Sequence, residues 1–173
     1  MQSLHSSESP FRSHLPSIRR AVSADAGAFS ALLRRAFQEF EPLYTPEAFV
    51  ATVQPESGLL KRMEKGPSWV AESDQGMVGT VSAMRSKDSM FVRGMAVAPE
   101  ARGQRIGKTL LVLTEDYARE QSCERMSLYT TAFLLSAISL YQSSGFVFTG
   151  ESISPHGTEL LGMVKVLGSD RRA

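Results

Sequence analysis

The chain has 173 residues, 42% of them hydrophobic and 21% charged, with 19 basic against 18 acidic side chains and a formal net charge of +1. That balance excludes an extended disordered chain, and it argues against a general nucleic-acid or membrane-surface binder. The lone Cys123 and the scattered His5, His14 and His156 exclude a disulfide scaffold and a zinc-ligand cluster.

Residues 1–17 are rich in serine, are broken by Pro10 and Pro16, and lack the apolar run of a signal peptide. They read as a mobile arm, residues 18–168 as one domain and residues 169–173 as a polar tail; the unpaired thiol and the missing signals predict a cytoplasmic protein. Ile18 to Val22 reads as a short strand. Ser23-Ala24-Asp25 can cap a helix that carries Phe29, Leu32, Leu33, Ala36, Phe37 and Phe40 on one stripe. Thr45-Pro46-Glu47 supplies an N-cap, a first-turn proline and a dipole-compatible acid for a second helical region, interrupted at Pro55 and ended by Gly66-Pro67. The period then changes. Ser68 to Glu72 and Met77 to Met84 flank Ser73-Asp74-Gln75-Gly76 as an antiparallel hairpin, and Ser89 to Val97 follows as a third strand.

After Pro99 the helical period returns, with Ile106, Leu110, Leu113 and Tyr117 facing inward and Leu111 beside them, up to about Gln121. Met126 to Thr131 is a strand. Phe133 to Ser143 is a helix with Leu134, Ala137, Ile138 and Tyr141 on one side, stopped by Ser144-Gly145. Phe146 to Thr149 and Leu160 to Leu167 close the chain as strands. The stretch between Arg125 and Glu151 carries no charge, but its many Ser, Thr, Gln and Gly residues predict two core strands around a buried helix rather than a membrane span. The order predicts an α/β (α+β) fold, a mixed sheet of about seven strands with about four helices on both faces; the crossover from Val97 to Met126 predicts a parallel pair.

One segment carries chemistry. Val97-Ala98-Pro99-Glu100-Ala101-Arg102-Gly103-Gln104-Arg105-Ile106-Gly107-Lys108-Thr109 is a strand end, a turn and a helix start, with no acid after Glu100. Free N–H groups and the helix dipole favour an anion there; Gly103 and Gly107 allow close backbone approach, and Arg102, Arg105 and Lys108 add donors. The plain alternative is a basic, well-capped surface turn. The spacing before Gly107-Lys108-Thr109 misses the Walker loop by one residue, and the dinucleotide fingerprint is absent.

The run Met95-Ala96-Val97, then Arg102-Gly103-Gln104-Arg105-Ile106-Gly107, resembles the signature [QR]-x-x-G-x-[GA] of the GNAT superfamily of N-acetyltransferases. Ala137-Ile138-Ser139-Leu140-Tyr141 before Gly145-Phe146 is similar to that family's ending, and the likeness covers about residues 18–167. Two residues depart from it: Arg105 stands at the signature's first glycine, which is tolerable if its φ stays below zero, and Leu134 stands where an Asn often helps hold the cofactor. The resemblance implies acetyl-CoA as cosubstrate, its pantetheine arm along Met95, Ala96 and Val97 and its pyrophosphate over Gly103, Gln104, Arg105, Ile106, Gly107 and Lys108, beside Arg102. It implies that the Met95 N–H polarises the thioester carbonyl and that Tyr141 is the general acid; spacing alone favours a core aromatic at Tyr141. The implied acceptor is a primary amine of a small molecule or peptide, with no nucleic acid or membrane partner, and the family allows a homodimer.

The strand from Ser89 to Val97 lacks the acid that relatives often use as a base, and the other candidates, Glu72, Glu39 and Glu41, read as solvated carboxylates rather than as the base. Arg93 reads either as a fork for an acceptor carboxylate or as an edge cation. The acceptor pocket is expected from residues 37–65 and from the loop from Ser152 to Glu159. A catalytically weak CoA-binding sensor on the same fold is the alternative function.

Overall fold

The computed structural model describes residues 16–168, so most of the arm and all of the tail predicted from sequence lie outside the described residues. The elements are β1 (Ser17–Arg20), α1 (Ala26–Phe37), α2 (Pro46–Val53), α3 (Glu56–Lys65), β2 (Ser68–Ser73), β3 (Gly76–Ser86), β4 (Ser89–Val97), α4 (Ile106–Glu120), β5 (Arg125–Thr130), α5 (Leu135–Ser143), β6 (Val147–Ile153) and β7 (Leu160–Val166). The described residues hold five α-helices, in keeping with the four or so expected; the second helical region contributes two of them because it breaks at Gln54-Pro55 and restarts with Pro55 as the N-cap of α3. The start of α2 follows its sequence: Pro46 occupies the first turn, and the Thr45 hydroxyl accepts from the Ala48 N–H at 3.2 Å.

The strands form one mixed sheet in the order β1-β2-β3-β4-β5-β7-β6. All neighbours are antiparallel except β4 and β5, the parallel pair that the α4 crossover requires. Helices cover both faces. Ile106, Leu110, Leu111 and Ala118 of α4 pack with Ala71, Val81 and Ala83 in one buried cluster; Phe29 and Leu33 of α1, Phe49 of α2 and Leu59 of α3 pack with Val70 and Ala96 in the other.

Three expectations are corrected. The inward stripe of α4 is rotated: Thr114 and Ala118 are buried, while Leu113 and Tyr117 are only partly so. Tyr117 instead meets the edge of Trp69, ring centroids 5.5 Å apart. The strand after Gly145 is not a core strand. It runs to Ile153 at the sheet edge, because β7 inserts between it and β5, and all seven of its residues are exposed. Nor is α5 a buried helix: Tyr141 is its one buried residue, Ile138 is half-buried, and Ala137 and Leu140 are half-buried where they border an open cavity.

Close approach of α4 to the sheet depends on Gly79, where an added Cβ would lie 2.6 Å from Ile106 Cγ2 and 3.1 Å from Leu110 Cδ1. Gly79→Val is therefore expected to destabilise the fold by about 1–3 kcal/mol, read as a lower urea midpoint at unchanged slope. An unshifted midpoint would contradict this packing.

Two features of β4 open the sheet. It pairs with β5 through only three residues, Ser89, Met90 and Phe91, after which the strands part. On its other side the register with β3 slips between Thr80 and Ser82, opposite Ala96 and Arg93, so that Gly94 and Met95 face the single residue Val81. Gly94 takes φ +59° in this bulge, and its carbonyl accepts from the buried Thr80 hydroxyl at 2.9 Å. Among the described residues, no helix is long and apolar enough to cross a membrane.

Candidate active site

Two cavities meet where β4 leaves β5. The first, of about 640 Å³, runs from the end of β4 over the turn before α4 and is walled on the far side by Phe133, Leu134, Ser136 and Leu140. The second, of about 350 Å³, lies between α2, α3 and the middle of β4, and Pro155, His156 and Thr158 of the β6–β7 loop close it. Phe37, Met95, Leu134 and Ala137 line both. The second cavity draws its walls from both segments that the sequence suggested. They are tied together there: the Thr45 N–H donates to the Thr158 hydroxyl at 2.9 Å, and the Thr45 hydroxyl donates to the His156 carbonyl.

The first cavity ends on bare main chain. The first bond of α4 runs from the Thr109 N–H to the Arg105 carbonyl at 3.0 Å, and the N–H groups of residues 103–108 have no acceptor among the described residues. Gly103, at φ +80°, has nothing within 4 Å of an added Cβ, so the turn is open on its outer side. A Cβ at Gly107 would stand 3.0 Å from Leu140 Cδ2, on the opposite wall of the cavity. Bare N–H groups at the positive end of a fifteen-residue helix attract an anion.

Of the sequence-predicted residues, Met95, Ala96, Val97, Arg102, Gly103, Arg105, Ile106, Gly107 and Lys108 line this cavity, and Gln104 does not. The Arg102 guanidinium is engaged with Glu39 and with the Ala36 carbonyl at 3.0 Å, which fastens the turn to the end of α1. Arg105 and Lys108 make no ion pair among the described residues.

The expectation of a negative φ at Arg105 is corrected: φ is +62° and ψ +11°, a left-handed conformation at the position where the signature has glycine. The turn keeps the glycine geometry and imposes it on an arginine, at a cost of about 1–2 kcal/mol. Arg105→Gly is expected to be more stable than Arg105→Ala by about 1 kcal/mol in chemical denaturation, since only the glycine adopts this φ freely; equal stabilities would contradict the assignment.

Tyr141 sits on the buried side of α5 at 6% exposure and lines the second cavity, its ring 5.9 Å from that of Phe146. Burial, with a smaller contribution from Tyr44, pushes its phenol well above the ordinary tyrosine value, so it holds its proton at neutral pH. Tyr44 meets Phe133 edge-on at 4.9 Å, joining the walls of the two cavities.

None of the acids considered from sequence reaches the second cavity. Glu72 pairs with Arg19 at 2.7 Å, Glu39 pairs with Arg102, and Glu41 accepts from Gln38 at 2.7 Å. Cys123 is buried on the α4 side, and burial pushes its thiol up, as befits a structural residue.

Comparison with known proteins agrees with this geometry. The acetyltransferase (GNAT) family matches residues 29–146, more than half of the chain. The chain belongs to that family. N-acetyltransferase 8B of Homo sapiens is 40% identical over 90 residues, a match covering 49% of this chain and 40% of the relative; the chain thus matches less than half the length of such curated relatives. A ribosomal-protein-alanine N-acetyltransferase from Brucella melitensis, 27% identical, superposes with a TM-score of 0.69 over 87% of this chain and 99% of that one. The PaiA N-acetyltransferase from Thermoplasma acidophilum, solved in complex with coenzyme A, has the same fold, with a TM-score of 0.72 at 19% identity over 88% and 99% of the two chains.

GNAT proteins use acetyl-CoA, and the residues present suit it: a run of N–H groups and two cations, all without partners among the described residues, and an open glycine for the phosphates, and a long cleft beside the part of β4 that β5 leaves unpaired for the arm. Leu134 lines the cleft with apolar surface, so its side chain offers no hydrogen-bond donor there.

Sequence reading missed one residue of the second cavity. Arg62 of α3 is only 5% exposed, lines the cavity, and has a buried Nη1 without a hydrogen-bond partner. Its neighbours Lys61, Glu64 and Lys65 make the helix read as solvated, and only the glycine at position 94 hints at what lies opposite.

Proposed function

We propose that the protein is an N-acetyltransferase that moves the acetyl group of acetyl-CoA to a primary amine of a small molecule or peptide by direct attack in a ternary complex. The observation that carries this reading is the junction of the two cavities at Met95, with the bare N–H run at the end of one and the Tyr141 phenol in the other. Acetyl-CoA, when bound, supplies an acyl thioester whose sulfur is the leaving group. The N–H groups of residues 103–108 hold the diphosphate, with Arg105 and Lys108 adding charge. Residues 95–97 of β4, unpaired by β5, offer main-chain groups to the arm. The Met95 N–H polarises the carbonyl while the neutral amine attacks; Tyr141 gives its proton to the departing sulfur and is restored by the proton that the new amide nitrogen releases, so that amine and thioester become amide and free thiol.

No carboxylate lines the second cavity among the described residues, and His156 is the one histidine in its lining. That lack favours the weak CoA-binding sensor as the second reading, and one experiment separates them. Thiol release from acetyl-CoA is measured across a panel of amines, with both substrates varied and the protein's mass recorded after incubation with acetyl-CoA alone. Saturable turnover with intersecting initial-rate lines and no acetylated protein supports direct transfer. Binding without turnover supports the sensor, and parallel lines with an acetylated protein contradict direct attack.

A further inference from the structure

The second cavity concentrates unmet polar demand. Among the described residues, the buried Arg62 Nη1 and Thr130 Oγ1 lack a hydrogen-bond partner, and both residues line this one space; Thr131, which also lines it, is within reach of the Tyr44 phenol. Buried polar groups are nearly always paired, and a buried unpaired cation is the most costly exception. Arg93 of β4 lines the same cavity with no ion pair or hydrogen bond among the described residues, and it is close enough for its charge to act on Arg62. Two arginines therefore line one cavity whose described lining contains no acid.

The backbone makes room for this arrangement. An added Cβ at Gly94 would come within 2.6 Å of Arg62 Nη1, and the bulge at Gly94 sets Arg93 beside it. Phe37, Ala48, Ala51, Phe91, Ile153 and Leu160 supply apolar walls. A volume of about 350 Å³ is at the small end of small-molecule sites.

We infer that Arg62 and Arg93 bind a carboxylate of the acceptor, which makes the acceptor an amino acid or short peptide-like amine with an apolar body. The planar fork of each guanidinium matches a carboxylate, and the ligand anion supplies the charge that the cavity lacks. This inference rests on the N-acetyltransferase reading. It adds a substrate class and assigns Arg62 to specificity.

The test compares kcat/KM for apolar L-amino acids and Leu-containing dipeptides with their C-terminal amides, their decarboxylated amines and their phosphonate analogues, using the full chain with saturating acetyl-CoA. The carboxylates are expected to exceed the amides by roughly 100-fold, mainly through KM, as loss of a buried charge partner predicts. Arg62→Met and Arg93→Met are each expected to cut that ratio at least tenfold while the affinity for acetyl-CoA moves less than about threefold. Arg93 is exposed, so its variant folds whatever happens at Arg62. Amides used as well as acids, unchanged ratios in both variants, a preference for phosphonates, or no turnover of any carboxylate would each overturn the inference. Loss of acetyl-CoA binding by the wild type would instead overturn the reading on which it rests.

Discussion

Tyr141→Phe is expected to lower kcat by roughly 100- to 10,000-fold with little change in the affinity for acetyl-CoA. The substitution removes one oxygen from a ring already packed on Phe146 in a buried position of α5, so its effect on stability is expected to stay near 1 kcal/mol. What it removes is a proton held firmly in the cleft. Desolvation raises the phenol well above its ordinary value, and Tyr44 adds to this, so the folded protein keeps the proton through neutral and mildly alkaline pH. The sign follows: deprotonation of Tyr141 cannot produce a falling limb in the pH–rate profile below the ordinary tyrosine range. The check is steady-state kinetics of both proteins between pH 6 and about 9.5, with acetyl-CoA binding measured separately. A variant with wild-type kcat would return Tyr141 to the role of a core aromatic.

Arg62→Met is expected to make the protein more stable while impairing the acceptor site. Burial and the nearby Arg93 lower the Arg62 pKa from the ordinary arginine value to about 10, which leaves it charged at neutral pH and corresponds to a cost on the order of 3 kcal/mol in the folded state. Methionine fills similar space without that cost, so a gain of about 1–3 kcal/mol follows, seen as a Tm higher by roughly 3–10 °C. The folded-state value lies below the unfolded one, so the penalty is constant at and below neutral pH. It fades only as pH rises past about 10, where the folded chain sheds the proton before the unfolded one does. A melting series at pH 7 suffices. A lower Tm for Arg62→Met would mean that the guanidinium has a partner and is not held in reserve for a ligand.

Much of this architecture was legible in the sequence because local chemistry and tertiary packing agree. Thr45-Pro46-Glu47 starts a helix, the segment from Ser73 to Gly76 turns a hairpin, and the glycines and cations between Arg102 and Lys108 mark an anion turn. The misses share a physical cause, which is that burial is set by neighbours distant in sequence. The α4 stripe shifts toward Thr114 because Gly79 and Ala71 let Ile106 and Leu110 sink onto the sheet. The strand after Gly145 reads as apolar yet is exposed, since the strand order places β7 between it and the core. Arg62 reads as a solvated helix charge and is buried by the bulge at Gly94, a contact across 32 positions that no spacing rule reveals. Arg105 shows the reverse: backbone geometry prevails over the side chain's own preference.

The central claim is that the main chain from Gly103 to Lys108 holds the diphosphate of acetyl-CoA. Backbone amide chemical shifts recorded during titration with coenzyme A test it most directly. Saturable one-to-one binding, with the largest shifts at residues 103–108 and along 95–97, is the predicted result. Absence of binding at millimolar coenzyme A, or binding that leaves those amides unmoved, would contradict it.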